Sequence, residues 1–353
     1  MRHLATLLAL AVGLVAVSPA RAEDKEKVKI DEETQKSIDK ALAWLAENQS
    51  SDGSWGRQSA VTSFALLAFM SQGHLPGQGK YGPEVAKGVK NLLAGARDDG
   101  YLVGPGGGNM YSHGMATLAL SQVWGMTGDE EVKKTLKKAI DLMVKSQNHE
   151  GGWRYEPQPT GADISVTIMM VMALRGAKDS GLQVPNATME NALEYIRKCH
   201  DPRSGGYRYQ PGGGPPGFAR TAAGVCVIQL TGVIQKMEEE VASEKGEKRE
   251  QVKKKLEEYQ ERMKTALAYM EKTADDRSHY WYGHYYAAHA WHQVGGKAWE
   301  EYYGKMKKNL LAIQNSNGSW RDVRESGVGP AYQTAIAVLI LSVPTDYLPI
   351  YQR

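Results

Sequence analysis

Two histidines, one aspartate and two arginine–tyrosine pairs are the residues of this 353-residue chain whose types and spacing invite a chemical reading. His279, His284, His289 and His292 stand among Tyr280, Trp281, Tyr282, Tyr285, Tyr286 and Trp291. His289 and His292 share a helix face, but a zinc site takes three or four ligands. No carboxylate or cysteine stands at a matching spacing, so neither a metal nor a cofactor is expected. Rings with polar tips suit a wall against a saccharide or an apolar chain. Asp163 directly precedes an apolar run, the position of a helix N-cap or a dipole partner. Arg154-Tyr155 and Arg208-Tyr209 follow equivalent turns, GGWRYEP and GGYRYQP. The repetition reads as a shared structural contact, or as two basic groups at one mouth where an anion binds. His113, His284, Asp163, Tyr111, Tyr285, Arg154 and Arg208 are therefore the candidate ligand contacts.

The elements that must position them repeat. Gln49 stands six residues before Trp55, Gln147 six before Trp153, and Gln314 six before Trp320. Each pair lies between an amphipathic segment and one that is apolar nearly all round. That contrast distinguishes an outer helix from an inner, buried one. Three degenerate copies fill the gaps. Aligned on the inner segments, Thr62, His113, Thr167, Thr221, His284 and Thr334 form one column at intervals of 51, 54, 54, 63 and 50 residues. Such a period means stacked helical hairpins sharing a core. The expected architecture is all-α: twelve helices in two concentric rings. In a six-unit ring the second and fifth units face each other. If the column faces the axis, His113 and His284 lie on opposite walls, too far apart to share a metal, and each contacts a ligand spanning the cavity.

Residues 1–22 carry a basic start, an apolar run from Leu4 to Val17 and an Ala20-Arg21-Ala22 ending, the pattern of a signal peptide. Export to the periplasm or beyond is expected. Residues 23–29 read as a disordered lead-in and 30–353 as one domain. Removing residues 1–22 lowers the formal net charge from +3 to +1, which gives nucleic acid no purchase. No segment of the mature chain is long and apolar enough to cross a membrane. Cys199 and Cys226 are expected to be free, buried thiols. The long interval holds an insertion, residues 236–264, with nine basic and nine acidic residues. It reads as a solvated helix or helical hairpin broken near Gly246, or as an arm for a protein partner. The glycine loops at 103–109 and 211–217 fall between outer and inner helices and so crowd one rim. Leu348, Ile350 and Tyr351 are too apolar for a free terminus and are expected to pack on the ring.

The motifs QSSDGSW, QNHEGGW and QNSNGSW, six times repeated in full or degenerate form, resemble the terpenoid cyclase and prenyltransferase superfamily. More closely, the chain resembles exported bacterial proteins with prenyltransferase/squalene-oxidase repeats. That resemblance implies an (α/α)6 toroid, in which the Gln and Trp tie an outer helix end to the next inner helix start. Gln49, Trp55, Gln147, Trp153, Gln314 and Trp320 are then structural. Alkene-protonating cyclases carry DxDDT, and the matching stretch here is Asp163-Ile164-Ser165-Val166-Thr167. Ser165 replaces the proton donor, and a serine hydroxyl is too weak an acid for an alkene. Neither cysteine has the context of a zinc prenyltransferase, and the GCGEQ of thioester toroids is absent. The reading that follows is a non-catalytic toroid that binds an apolar, polyprenyl or saccharide ligand, or a protein partner. An enzyme acting on a polyprenyl or carbohydrate in the cavity is the alternative.

Overall fold

Capping and polarity set the helix ends. Asp31 accepts from the Thr34 backbone N–H at 2.8 Å and its hydroxyl at 2.6 Å, starting α1, Glu32–Glu47. The next helix, α2 (Ser59–Met70), is buried at every residue, as its unbroken apolar sequence requires. This computed structural model describes residues 28–104, 106–322 and 328–352. The expected signal peptide lies outside them, as does residues 23–27 of the lead-in. The remaining helices are α3 (Gly82–Ala94), α4 (Met110–Thr127), α5 (Glu130–Ser146), α6 (Ile164–Asp179), α7 (Asn186–Lys198), α8 (Phe218–Leu230), α9 (Val233–Ser243), α10 (Gly246–Lys272), α11 (Tyr280–Val294), α12 (Gly296–Ile313) and α13 (Pro330–Ser342). Among the described residues there is no strand, only isolated bridges within loops.

The helices α2, α4, α6, α8, α11 and α13 pack in that order, and α13 packs back on α2. The inner ring is thus closed. Outside it lie α1, α3, α5, α7, α10 and α12. The fold is the expected (α/α)6 toroid with α9 added.

The turn motif explains the closure. Trp55 Nε1 donates to the Leu45 carbonyl (2.6 Å), Trp153 to Met143 (2.8 Å) and Trp320 to Leu310 (2.9 Å), each ten residues back in its own outer helix. The backbone N–H groups of the same tryptophans donate to Thr62, Thr167 and Thr334 at the start of the inner helix. The tryptophan therefore joins outer and inner helices of one unit. The glutamine does something the resemblance did not imply: it reaches the next outer helix. Gln49 Nε2 donates to the Glu84 carbonyl, Gln147 to Thr188 and Gln314 to Ser37, each at 2.9 Å. Each also donates to the glycine of its own turn. At the seam, Gly318 has φ +91°, and a Cβ there would stand 2.5 Å from the Lys40 carbonyl oxygen. Only glycine permits both that backbone conformation and that approach. Lys307 closes the same seam with an ion pair to Asp31 at 2.7 Å, which holds that carboxyl below its ordinary range.

The insertion forms α9 and the first part of α10, a hairpin that turns just before Gly246 (φ +62°). Its charges pair along the helix, as in Glu244 with Lys248 and Glu258 with Arg262. It is not solvated throughout, however: Met237, Leu256 and Tyr259 are buried. Tyr259 lies near Glu194 and Arg197 of α7. The hairpin therefore has one face on the outer ring, and α10 runs on to supply the fifth outer helix. Cys199 and Cys226 are free and buried, and burial pushes the Cys199 thiol up to about 12.

Candidate functional site

The column of threonines and histidines faces the seam between the rings, not the axis. His113 Nδ1 accepts from the Leu102 backbone N–H at 3.0 Å, the task that Thr62, Thr167, Thr221 and Thr334 perform in their own units. Its Nε2 lies 3.3 Å from the Ala139 carbonyl of the outer helix α5. His284 Nδ1 lies 2.9 Å from the hydroxyl of Tyr302 on the outer helix α12. Burial lowers both rings to about 4. The expected inward facing of this pair is therefore corrected: the two rings are occupied by protein partners between the helix layers.

Two places earlier on the inner helices stand Ala60, Tyr111, Ser165, Ala219, Tyr282 and Tyr332, and of these the tyrosines Tyr111 and Tyr282 reach the axis. Tyr111 and Tyr282 come from opposite units, and their ring centroids are 6.2 Å apart. They meet across the axis. Both are partly exposed, but their hydroxyls are buried, beside Tyr286 and Ser165 and without a well-formed hydrogen bond. Desolvation holds both phenols well above their ordinary value, so they are neutral.

Below this level aromatic packing continues. Tyr286 stands 4.9 Å from both Tyr282 and Tyr285, and Phe64 packs on Tyr285 and Tyr332. Tyr285, a predicted ligand contact, is fully buried in this stack. The C-terminal tail completes it from the far end, where the inner helices finish. Tyr351 stacks on His289 with centroids 3.5 Å apart and contacts the Tyr285 hydroxyl. The Ile350 N–H donates to Gln122 Oε1 at 3.1 Å, and Gln293 Nε2 to the Tyr351 carbonyl at 3.1 Å. His292 pairs with Asp346 at 3.4 Å. The apolar tail residues thus pack inside the ring's far mouth and stopper it.

At the near rim the two Arg-Tyr pairs meet. The Tyr155 and Tyr209 hydroxyls are 2.6 Å apart. The Tyr155 carbonyl accepts from Met110 N–H at the start of α4, and the Tyr209 carbonyl from Ile164 N–H at the start of α6. Each loop thereby caps the inner helix of the preceding unit. Arg208 is held by Asp201 at 2.9 Å, while the Arg154 guanidinium lies over the Tyr155 ring. Asp163 is fully buried and caps α6 through Val166 N–H at 3.0 Å. Its other oxygen has no well-formed partner, though it lies close to Tyr209. Desolvation raises its pKa against the pull of these donors.

Tyr111, Tyr282 and Tyr332 are thus the partly exposed aromatic residues at the loop-bearing end of the inner helices, and Tyr155, Tyr209 and Arg154 stand on the loops of that rim; this end is called the cup below. Sequence reasoning named Tyr111, Asp163 and Arg154 as ligand contacts, set Tyr282 in an aromatic wall and expected the tail to pack on the ring, but missed Tyr332 and the place where the tail packs. The signal was present: the same alignment, read two positions earlier, gives three tyrosines. Among the described residues no group of three His, Cys, Asp or Glu side chains could hold a metal ion, and no single helix is long and apolar enough to cross a membrane.

The fold is the terpenoid-cyclase-like α/α toroid. An inactive variant of the α-1,6-mannanase GH76A of Salegentibacter sp. HEL1_6, in complex with α-1,6-mannotriose, superposes with a TM-score of 0.62 at 8% identity, covering 88% of this chain and 99% of that one. The type II terpene cyclase MstE from Scytonema, in complex with geranylgeranyl dihydroxybenzoate, gives 0.59 at 14% identity, covering 90% and 98%. A sugar epimerase from a ruminal bacterium gives 0.60 at 11%, covering 89% and 98%. No protein-family model and no curated protein matches the chain.

Proposed function

We propose that this chain, after export, binds a saccharide in the cup without transforming it. The observation that carries this reading is the ridge of two opposed, partly exposed tyrosines with aromatic packing directly beneath it. A polyprenyl chain needs a deep apolar cavity to enclose it, and Tyr285, Tyr286 and Tyr351 occupy that depth. A sugar ring needs only a flat aromatic face and polar groups at its edge. The likeness to a mannanase and a sugar epimerase supports this choice of ligand class. Hydrolysis of a glycosidic bond canonically uses two carboxyl groups about 5–9.5 Å apart across the bond. Asp163, the acid nearest the cup in this reading, is buried and engaged in capping.

The test is calorimetric titration with neutral oligosaccharides, mannohexaose among them, of the wild type and of Tyr111→Ala and Tyr282→Ala. Binding that weakens about tenfold or more in both variants, with no product released on long incubation, supports the proposal. Binding that both variants retain, or turnover of any oligosaccharide, overturns it.

A further inference from the structure

A further cavity lies outside the cup. It is a groove of about 790 Å³ on the same rim, between the first turn and the C-terminal half of α3. Small residues, Ala94, Gly95 and Gly104, are part of its lining. Lys87, Lys90 and Arg97 line it, all exposed, and among the described residues none of the three is in an ion pair. The one acid of the lining, Asp52, is already engaged by the backbone N–H and hydroxyl of Ser54. The walls are fixed. Asn91 Nδ2 donates to the Asp52 carbonyl at 3.1 Å, and Gln49 ties the same turn to α3 through Glu84.

The repeats supply an internal control. The turn glycines Gly53, Gly100, Gly151, Gly205 and Gly318 face the carbonyls of Lys87, Lys138, Asn191, Thr265 and Lys40. In that register, Asp141, Glu194, Ala268 and Ala43 stand where Lys90 stands. Ser50, Asn148, Pro202 and Asn315 stand where Arg97 stands. The toroid needs no cation at either position, since the other units close the ring without one. Three like charges gathered in one concavity repel each other, and an anion relieves that repulsion.

We infer that this groove binds the acidic units of a carboxylate-bearing polysaccharide whose neighbouring residues rest in the tyrosine cup. The inference rests on the saccharide reading of the cup. The two sites are joined by the chain itself: Gly104 lines the groove, and five residues later Asn109 caps α4, which presents Tyr111. Lys87 and Lys90, three apart on one helix, stand on one face. They face the ligand as mobile point charges, which suits carboxylates along a flexible chain better than one fixed phosphate.

The experiment titrates hexagalacturonate, neutral mannohexaose and a short DNA duplex into the wild type, Lys87→Ala/Lys90→Ala and Tyr111→Ala at low ionic strength. The expected result is tighter binding of hexagalacturonate than of mannohexaose, reduced about tenfold by the double lysine variant and by added salt, with mannohexaose binding unchanged in that variant. Hexagalacturonate binding that the lysine variant retains overturns the inference. So does DNA binding as tight as that of hexagalacturonate, which would make the groove a general polyanion surface. If mannohexaose binds and only Tyr111→Ala weakens it while the lysine variant leaves hexagalacturonate unaffected, the groove fails and the cup stands. If hexagalacturonate depends on the lysines but is indifferent to Tyr111→Ala, and mannohexaose does not bind, the cup fails and a separate groove remains.

Discussion

His113→Thr puts the shared column to a direct test, because threonine is what four other units use at that place. His113 must be neutral at Nδ1 to accept from Leu102 N–H, so a proton added there would face another donor. Burial lowers the ring from 6.5 to about 4. A histidine depressed in this way contributes stability that is present above its unfolded value near 6.5 and is lost as pH falls through the folded value. At about 1.4 kcal/mol per pH unit, the neutral ring is worth about 3 kcal/mol by the time pH reaches about 4. Near pH 7.5 the variant loses the packing of the ring and its reach to the Ala139 carbonyl, a cost of about 2–3 kcal/mol. It no longer carries the acid penalty of that ring. Urea unfolding followed by circular dichroism at several pH values between 7.5 and 4 should therefore show the stability gap between wild type and variant closing on acidification, by about 3 kcal/mol in total. His284 titrates in both proteins and drops out of the difference. A gap that stays constant over this range would refute the burial argument, and with it the assignment of the column to the seam.

Trp153→Ala removes a fully buried indole and its bond to the Met143 carbonyl, and urea unfolding should register a loss of about 3–5 kcal/mol. Asp163→Asn keeps an acceptor for Val166 N–H but removes a carboxyl whose folded pKa is raised by desolvation. The native Asp163 contributes most below its unfolded value near 3.9 and less as pH rises through the folded one, so the variant should gain on the wild type as pH is raised above about 4. Truncation of residues 346–353 uncovers His289 and Tyr285, and should cost at least about 3 kcal/mol from the lost burial of Leu348, Ile350 and Tyr351. In the truncated protein the His289 proton signals, followed by NMR, should titrate at higher pH than in the full chain, where desolvation holds the ring well below its ordinary value.

The ring was legible because its signals are periodic and local. Gln, Gly and Trp recur at fixed spacing, and outer and inner helices differ in polarity all round. The facing of the inner helices was not legible, for a physical reason. An inner helix of a toroid is buried on the outer-ring side and, where the axis is filled, on the axis side as well. All twelve residues of α2 are buried. Polarity then cannot distinguish seam from axis, and a column containing His113 and His284 was free to be read either way. The partner of each turn glutamine was hidden because it belongs to the next repeat, about 35 to 41 residues on in two cases and across the chain ends in the third. In the insertion, net neutrality and helical charge pairing masked Met237, Leu256 and Tyr259, three buried residues among many exposed ones. The tail's apolarity announced that it must pack, but only the open end of a closed ring shows where.

Closed rings of this kind share a rim and a set of axial levels, each supplied by one side chain per inner helix. What a given toroid can hold then depends on how those levels are filled, not on the fold. In this chain the uppermost level joins Tyr111 to Tyr282 across the axis. The next levels are closed by Phe64, Tyr285 and Tyr286, and the last by Tyr351 on His289. Two of these fillings come from opposite directions, the inner helices from within and the tail from the far mouth. A ligand approaching from the loop-bearing rim therefore meets aromatic faces at the first level. Its length can extend sideways, over Tyr155, Tyr209 and the glycine loops, but not downward. On the saccharide reading proposed above, that geometry favours extended molecules that lie across a surface, with specificity set at the rim, where the charges of Arg154 and of the Lys87–Arg97 groove stand.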